Sequence, residues 1–289
     1  MGRDRNILGV LGHYASDVTL ATAQIYQAAQ LASISPTSTS VKLSNLSPYL
    51  FRATPSDYIT ARALAEYMLH QLKQKNVAVF YSSQSNYSQS LKSEFMAAVS
   101  LGGGRTVNEF DLSDANFNAA DSLEQAENLG AEVIMLAANN GTLDQALQVA
   151  QVNRQKLSIL GGDDVYTPKT LQVLGKSASG LVLAIPWHLK SYPHAEFTQV
   201  ASKLWQGQVN WRSAMAYDST RALIAAIGHQ SSRQGVQKAL ADPNFSTFGA
   251  SEKVDFLPSG DRLKHIELVE VNLSTNSSFD YEFVPISDP

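Results

Sequence analysis

Two turns rich in serine and threonine stand directly behind two apolar runs near the amino end of the chain. The apolar runs cover residues 7–11 and 31–34, and their composition predicts two buried strands. The hydroxyl side chains that follow them are Ser16, Thr19, Ser35, Thr37, Ser38, Thr39 and Ser40. In an open α/β sheet the carboxyl ends of the strands face the ligand crevice, and each following helix offers free backbone N–H groups and a positive dipole end. The pattern therefore predicts a site for an anion such as a carboxylate, held by several short hydrogen bonds.

The residue types alone leave a second interpretation open for the same positions. Ser and Thr after a strand commonly cap the next helix, so Ser16 and Thr39 could serve as N-caps only. Asp163 and Asp164 offer a similar choice, because carboxylates after a buried strand can face a ligand, hold a metal or cap the helix entered at Pro168. The absence of a nearby histidine or third acid in the sequence argues against a metal, and none is expected.

The composition bounds the domain count and excludes several classes of partner. With 289 residues, 44% of them hydrophobic, the chain can bury enough apolar surface for two medium-sized lobes. The net charge is −4 and the basic residues are scattered, which argues against nucleic acid as a partner. Cysteine is absent, which excludes disulfides, thiolate catalysis and Cys-based zinc sites. No apolar run reaches the length that would span a bilayer.

Strand and helix signals alternate from the amino end to Pro186. The predicted strands cover residues 7–11, 31–34, 49–52, 77–81, 105–110, 132–136, 157–160 and 180–185. The predicted helices between them cover residues 18–30, 56–73, 85–101, 117–129, 143–153 and 168–174. This rhythm predicts an α/β fold whose parallel sheets are covered by helices on both faces.

The pattern changes after Pro186. Three helices are predicted at residues 193–206, 214–229 and 234–240, followed by strands at residues 253–256 and 265–271. The polar stretch at residues 274–278 is predicted to be a loop.

Four short groups of residues combine glycine, hydroxyl side chains and proline around the predicted strand ends. They are Gly12-His13 with Ser16 and Thr19, Ile34-Ser35-Pro36 with Thr39, Phe51-Arg52 with Pro55-Ser56, and Gly161-Gly162-Asp163. In these groups, and over nearly its whole length, the sequence resembles the type I periplasmic solute-binding proteins of branched-chain amino-acid transporters. The resemblance implies two Rossmann-like lobes joined by three crossovers, which close on a ligand in the cleft between them by hinge motion. Lobe one would comprise residues 1–55 and 188–263, and lobe two residues 56–187 and 264–289.

The resemblance also implies an amino-acid site to which both lobes contribute. Ser16 and Thr39 would hold the α-carboxylate of the ligand by side chain and backbone N–H, and the carbonyl of Thr37 would accept from its α-ammonium. In lobe two, Tyr87 would stack on the ligand and Asp163 would pair with the ammonium.

One departure from the family concerns the side-chain pocket. Asn139 stands where the family often has a second aromatic residue, and with Thr37 and Ser38 it predicts a pocket more polar than one built for leucine or valine. Branched-chain specificity is therefore not carried over. Secondary contacts are expected from Tyr14, Ala15, Ser38, Asp164, Trp187 and Tyr217. Trp205 and Trp211 are predicted to lie in the core.

A larger departure concerns the front of the sequence. Family members begin with a strand, helix, strand, helix series, on the order of 60 to 70 residues at the size of such units, and this series is missing here. We therefore expect an amino-terminal truncation, or a partner chain that supplies those strands. The strand at residues 7–11 would then form an unpaired apolar edge, through which self-association is expected. A missing segment would also account for the absence of a signal peptide.

The function implied is that of a non-catalytic receptor which binds an amino acid or a similar small zwitterion and delivers it to an ABC permease. By the same resemblance the protein is expected in the periplasm or otherwise outside the cytoplasm, without a cofactor. The histidines are scattered and no Gly-x-Ser-x-Gly motif occurs, so no enzyme activity is expected. Two alternatives stay open: the ligand-sensing domain of a signalling receptor with the same fold, and an amidase-controlling regulator working in the cytoplasm.

Overall fold

The computed structural model describes residues 3–207, 209–275 and 277–286, and the chain divides into two compact units. Unit one comprises residues 1–56 and 186–265, and unit two comprises residues 57–185 and 266–289. The chain therefore passes from one unit to the other three times. Among the described residues there is no helix with the length and apolar character needed to cross a membrane.

The regular elements alternate as the sequence predicts up to Pro186. The strands are β1 (Gly9–Leu11), β2 (Ala32–Ser35), β3 (Leu50–Arg52), β4 (Asn76–Tyr81), β5 (Arg105–Asp111), β6 (Val133–Ala137), β7 (Ser158–Gly161), β8 (Val182–Ile185), β9 (Thr247–Phe248), β10 (Lys253–Val254), β11 (Glu267–Leu273) and β12 (Tyr281–Pro285). The α-helices are α1 (Ser16–Ala28), α2 (Asp57–Glu66), α3 (Asn86–Leu101), α4 (Ala119–Asn128), α5 (Leu143–Asn153), α6 (Pro168–Leu174), α7 (Glu196–Trp205), α8 (Trp211–His229) and α9 (Arg233–Leu240). Helix α2 continues as a π-helical segment, Tyr67–Gln71, so the helix predicted at residues 56–73 changes its hydrogen bonding partway.

Unit one contains a three-stranded parallel sheet in the order β1-β2-β3. The core packs Ala32, Ile34 and Phe51 of the sheet against α8 and α9. Helix α8 lies close to β1, because a Cβ atom at Gly9 would collide with the side chain of Leu223. Glycine at this position therefore permits the close approach of helix and strand.

Unit two contains a seven-stranded sheet in the order β12-β11-β8-β7-β6-β4-β5. Strands β4 to β8 run parallel, as their connections through helices require. Strand β11 pairs antiparallel with β8 and with β12, so the sheet is mixed rather than wholly parallel. The predicted α/β fold with parallel central sheets is confirmed, and β11 and β12 add an antiparallel edge to the sheet of unit two.

Two strands were not predicted from the sequence, and the exposure of two residues was mispredicted. Strand β12 follows the predicted polar loop, and the two-residue strand β9 pairs with β10. Leu11, placed in a buried strand, is 46% exposed, and Trp205, placed in the core, is 56% exposed. Trp205 lies at the last position of α7 and touches Phe197 edge-on, so only part of its ring is covered.

Candidate ligand-binding site

The hydroxyl-rich loops of unit one begin at neighbouring strand ends. Strands β1 and β2 are parallel partners, so the loops that follow Leu11 and Ser35 leave the same edge of the sheet. Ser16 is the first residue of α1, and its Oγ accepts a hydrogen bond from the backbone N–H of Ser40 at 3.3 Å. One loop is thereby tied to the other at the position where a ligand is predicted.

Further hydrogen bonds brace these two loops. The hydroxyl of Thr37 donates to the backbone carbonyl of Tyr14 at 2.7 Å. The hydroxyl of Ser38 lies 3.1 Å from the carbonyl of His13 and 2.8 Å from Oγ1 of Thr19. The side-chain hydrogen bonds of Thr37 and Ser38 therefore fix the conformation of the two loops.

Thr39 differs from its neighbours. It is 3% exposed, and its Oγ1 is buried without a hydrogen-bond partner among the described residues. The interpretation of Ser16 and Thr39 as N-caps only is wrong, because the N-cap of α1 is Ala15 and the hydroxyl that caps the next helical turn belongs to Ser40. A buried hydroxyl without a partner costs free energy, and a ligand that accepts its proton removes that cost.

Arg52, at the end of β3, holds the backbone around Thr39. Its Nη1 donates to the carbonyl oxygens of Thr39 at 2.7 Å and Ser40 at 2.9 Å, and its Nη2 donates to the hydroxyl of Ser44 at 2.8 Å. Its Nε donates to Asp261 at 2.7 Å, so the buried guanidinium has a counter-charge. Arg52 was not among the predicted site residues. An arginine that ends an apolar strand signals a buried polar partner, although the sequence does not identify which one.

Unit two places Tyr87 and Asp163 in direct contact. Tyr87 lies in the first turn of α3, and its hydroxyl donates to Oδ1 of Asp163 at 2.6 Å. A Cβ atom at Gly162 would collide with the Tyr87 hydroxyl, so glycine leaves room for this bond. Burial, followed by the negative charges of Asp163 and other carboxylates, raises the pKa of Tyr87 well above its usual value. The phenol therefore keeps its proton and acts as the donor to Asp163.

Asp163 does not cap the helix that follows it. The side chain of Thr167 accepts from the backbone N–H of Thr170 and is the cap of α6. Asp163 is buried and Asp164 is half-buried. Within the described ranges these residues belong to no group of three or more His, Asp or Glu side chains that could hold a metal ion. A buried carboxylate oriented by a tyrosine can bind a cationic group such as an ammonium.

Asn139 lies at the same sheet edge, after β6. Since β4 and β7 flank β6 in parallel register, the residues that follow all three strands share this edge. The side-chain oxygen of Asn139 accepts from the hydroxyl of Thr142 at 2.8 Å, and the backbone N–H of Asn139 donates to the same hydroxyl at 3.3 Å. The side-chain amide nitrogen is then the donor that Asn139 can offer.

Two of the predicted secondary residues belong to an aromatic cluster in unit one. Trp187 is fully buried against Tyr192 and Phe197, and Tyr217 packs on Phe197 with ring centroids 4.8 Å apart. These contacts give Trp187 and Tyr217 a packing role, and they do not join them to the hydroxyl-rich loops.

Comparison with known proteins identifies related sequences and folds. The family described as periplasmic binding protein matches residues 3–268. The leucine-specific-binding protein of Salmonella typhimurium is 23% identical over 180 residues, a match that covers 61% of this chain and 48% of that protein. The match thus spans about half the length of that relative.

Two solved structures share the fold. One is a leucine binding protein, LivK, from Thermotoga maritima, with a TM-score of 0.82, 22% identity and coverage of 96% of this chain and 79% of that one. The other is a solute binding protein of an ABC transporter from Rhodopseudomonas palustris BisB5 in complex with 3,4-dihydroxybenzoic acid, with a TM-score of 0.80, 17% identity and coverage of 98% and 78%. The fold is therefore compatible with ligands of different chemical classes, and the side chains of the site must decide between them.

Proposed function

The chain belongs to the periplasmic binding protein family. We propose that it is a receptor located outside the cytoplasm, which binds a small α-amino acid and delivers it to an ABC permease. In this proposal one ligand engages both units. The hydroxyl-rich loops of unit one take the α-carboxylate, and Asp163 of unit two takes the α-ammonium. A ligand that touches both units favours the conformation in which both hold it.

The observation that carries this proposal is the opposite chemistry of the two sets of residues. Unit one offers the unpartnered hydroxyl of Thr39 beside the amino end of α1, which suits an anion. Unit two offers a buried carboxylate held in place by the Tyr87 hydroxyl, which suits a cation. A zwitterion can engage both sets of residues, whereas an aromatic acid brings no ammonium group to Asp163.

Calorimetry on Asp163→Asn tests the assignment. The standard α-amino acids are titrated into the wild-type chain first, with 3,4-dihydroxybenzoate as the comparison compound. Replacing the carboxylate by an amide of the same shape should weaken the best amino-acid ligand by about tenfold or more, because the ammonium loses its charged partner. Asp164→Asn is the matched control and should bind more tightly than Asp163→Asn.

Equal affinity in the wild-type chain and in Asp163→Asn would overturn the ammonium assignment. Binding of 3,4-dihydroxybenzoate in preference to every amino acid would overturn the amino-acid proposal as a whole.

We also propose that copies of this chain self-associate at the edge formed by β1. In the described part of the chain β1 pairs with β2 alone, Leu11 is exposed on β1, and Val18 and Ile25 are exposed on α1. Light scattering should show an oligomer that dissociates in the variant Val18→Lys/Ile25→Lys. A wild-type chain that stays monomeric at high concentration would contradict this.

A further inference from the structure

The last two turns of α7 leave large apolar side chains uncovered on the surface of unit one. Val200 is 56% exposed, Leu204 is 70% exposed and Trp205 is 56% exposed. Phe197, in the first turn, is instead buried against Trp187. Because Val200 and Leu204 follow Phe197 by three and seven positions, the three side chains form one stripe along the helix. Helix α7 therefore packs one end of this stripe into unit one and leaves the other end exposed.

Helix α8 adds a fourth exposed side chain to the same surface. Trp205 and Tyr217 both contact Phe197, with ring centroids 6.5 Å and 4.8 Å from it. Tyr217 lies in α8 and is 37% exposed. The exposed side chains around Phe197 are together called the α7 patch, and they are Val200, Leu204, Trp205 and Tyr217. A contiguous apolar surface that the fold does not cover marks a contact with a protein or a membrane.

The chain around the α7 patch is basic. Residues 188–212 contain three basic residues and one acidic residue, which gives this segment a charge of +2 in a protein whose net charge is −4. These charged residues are Lys190, Lys203, Arg212 and Glu196, and both lysines are exposed. Lysine is depleted from protein–protein interfaces, whereas anionic lipid headgroups attract it. Tryptophan and tyrosine accumulate where lipid meets water, since each joins an apolar ring to a polar group. The combination favours a lipid surface over a protein partner.

We propose that the α7 patch binds the surface of a membrane that contains anionic lipids. Val200, Leu204 and the ring of Trp205 enter the boundary between headgroups and acyl chains. The ammonium of Lys203 stays at the level of the headgroups, as long basic side chains do. Binding is reversible, because a few side chains bury far less apolar surface than a helix that spans the bilayer. This contact goes beyond the proposed function and does not depend on which ligand the receptor takes.

Vesicle binding tests the proposal, and the chain supplies its own reporter. Of its three tryptophans, Trp187 and Trp211 are buried, so a change of emission on contact with lipid reports on Trp205. Vesicles of phosphatidylcholine are compared with vesicles that also contain phosphatidylglycerol, by sedimentation and by tryptophan fluorescence. The wild-type chain should sediment with the anionic vesicles, and its emission should shift to shorter wavelength. Pure phosphatidylcholine should bind it about threefold or more weakly.

Leu204→Ser tests the apolar contact, and Leu101→Ser is the matched control. Leu101 is an 86% exposed leucine at the end of α3, in unit two. Leu204→Ser should bind anionic vesicles about fivefold or more weakly, whereas Leu101→Ser should bind them as the wild-type chain does. Lys203→Glu should also weaken binding, and Lys238→Glu, on α9, should weaken it less.

A wild-type chain that binds neither kind of vesicle would overturn the proposal. Vesicle binding that Leu204→Ser leaves unchanged, or that Leu101→Ser reduces equally, would overturn it too, because the contact would then lie elsewhere. A chain that does not bind vesicles but forms an oligomer which Leu204→Ser dissociates would assign the α7 patch to a second copy instead. The amino-acid assignment is tested separately, by the titration of Asp163→Asn.

Discussion

The two sets of residues proposed to share the ligand differ in how their polar groups are satisfied. In unit two the Tyr87 hydroxyl and the Asp163 carboxylate already bond to each other at 2.6 Å. In unit one the hydroxyl of Thr39 is buried with no partner among the described residues, although its backbone is held firmly by Arg52. Unit two thus satisfies its polar groups within the protein and fixes the orientation of the Asp163 carboxylate. Unit one leaves the Thr39 hydroxyl as a hydrogen-bond donor for a ligand.

This difference matters because the same substitution, removal of one hydroxyl, should act oppositely in the two halves. A hydroxyl with a protein partner stabilises the fold whether or not a ligand is present. A buried hydroxyl without a protein partner lowers the stability of the fold, and a hydrogen bond to a ligand removes that penalty. Measurements of stability and of affinity on the same variants can therefore separate the two roles.

The largest effect is expected from Arg52→Gln, which removes the side chain that holds the backbone around Thr39 in unit one. The substitution leaves the carbonyls of Thr39 and Ser40 and the carboxylate of Asp261 without their buried cation. The free energy of unfolding should fall by about 3 to 5 kcal/mol, as when one partner of a buried ion pair is lost. Urea unfolding measures this, and calorimetry on the folded fraction should show that ligand affinity falls as well.

Arg262→Gln is the control for that experiment. Arg262 is equally buried and paired with Asp218, but its guanidinium bonds to the carbonyls of Ala53 and Lys253 rather than to the Thr39 loop. It should lose similar stability and keep its affinity. An equal loss of ligand affinity in the two variants would mean that Arg52 has no special part in positioning Thr39. Should Arg52→Gln fail to fold, Arg52→Lys is the milder variant to measure.

Tyr87→Phe tests the paired half-site and should have the next largest effect. It deletes the hydroxyl that donates to Asp163 and leaves the ring in place. The free energy of unfolding should fall by about 1 to 3 kcal/mol, since a buried charged acceptor loses its donor. Amino-acid affinity should fall with it, because the carboxylate is no longer held in one orientation. Thermal unfolding and calorimetry are compared with Tyr81→Phe, whose ring beside Lys92 is retained, and equal losses in the two variants would contradict the role of Tyr87.

Local sequence patterns were sufficient to predict the alternation of strands and helices and the hydroxyl side chains that follow β1 and β2. Those features depend on neighbours along the chain, namely apolar periodicity and the residues after each strand. The mixed edge of the sheet in unit two was missed because β11 pairs with β8, a partner that no local pattern names. The same limit applies to Arg52, whose carboxylate partner Asp261 comes from the far end of unit one.

Exposure was mispredicted for a related reason. Leu11 and Trp205 are apolar, and composition alone assigns such residues to the core. Whether a face is covered depends on which elements pack against it, which is a property of the assembled fold.

Thr39→Val should lower ligand affinity without lowering stability, whereas Tyr87→Phe should lower both. The deleted hydroxyl has no partner among the described residues, so the free energy of unfolding should stay the same or rise by up to about 1 kcal/mol. Affinity for the amino-acid ligand should nevertheless fall by about tenfold. The matched control is Thr19→Val, whose hydroxyl contacts Ser38 at 2.8 Å and whose loss should lower stability. A destabilised Thr39→Val chain with normal affinity would show that the hydroxyl serves the fold.

The smallest effect is expected on the stability of unit two at acidic pH. It arises at Asp111, which is not one of the proposed binding residues. Burial alone would raise the pKa of Asp111, but hydrogen bonds from Ser113 and Ser83 outweigh it and lower that pKa to about 2. Because the folded-state value lies below the unfolded value of about 4, the contribution is complete above pH 4 and is lost as the pH falls toward 2. Solvent screening limits it to below about 1 kcal/mol. Unfolding at pH 5 and pH 3 should therefore show a smaller acid loss in Asp111→Asn than in the wild-type chain, with ligand affinity at neutral pH the same in both. An equal acid loss would mean that other carboxylates, such as Glu132 with its backbone hydrogen bonds from Lys75 and Asn76, control the acid limb.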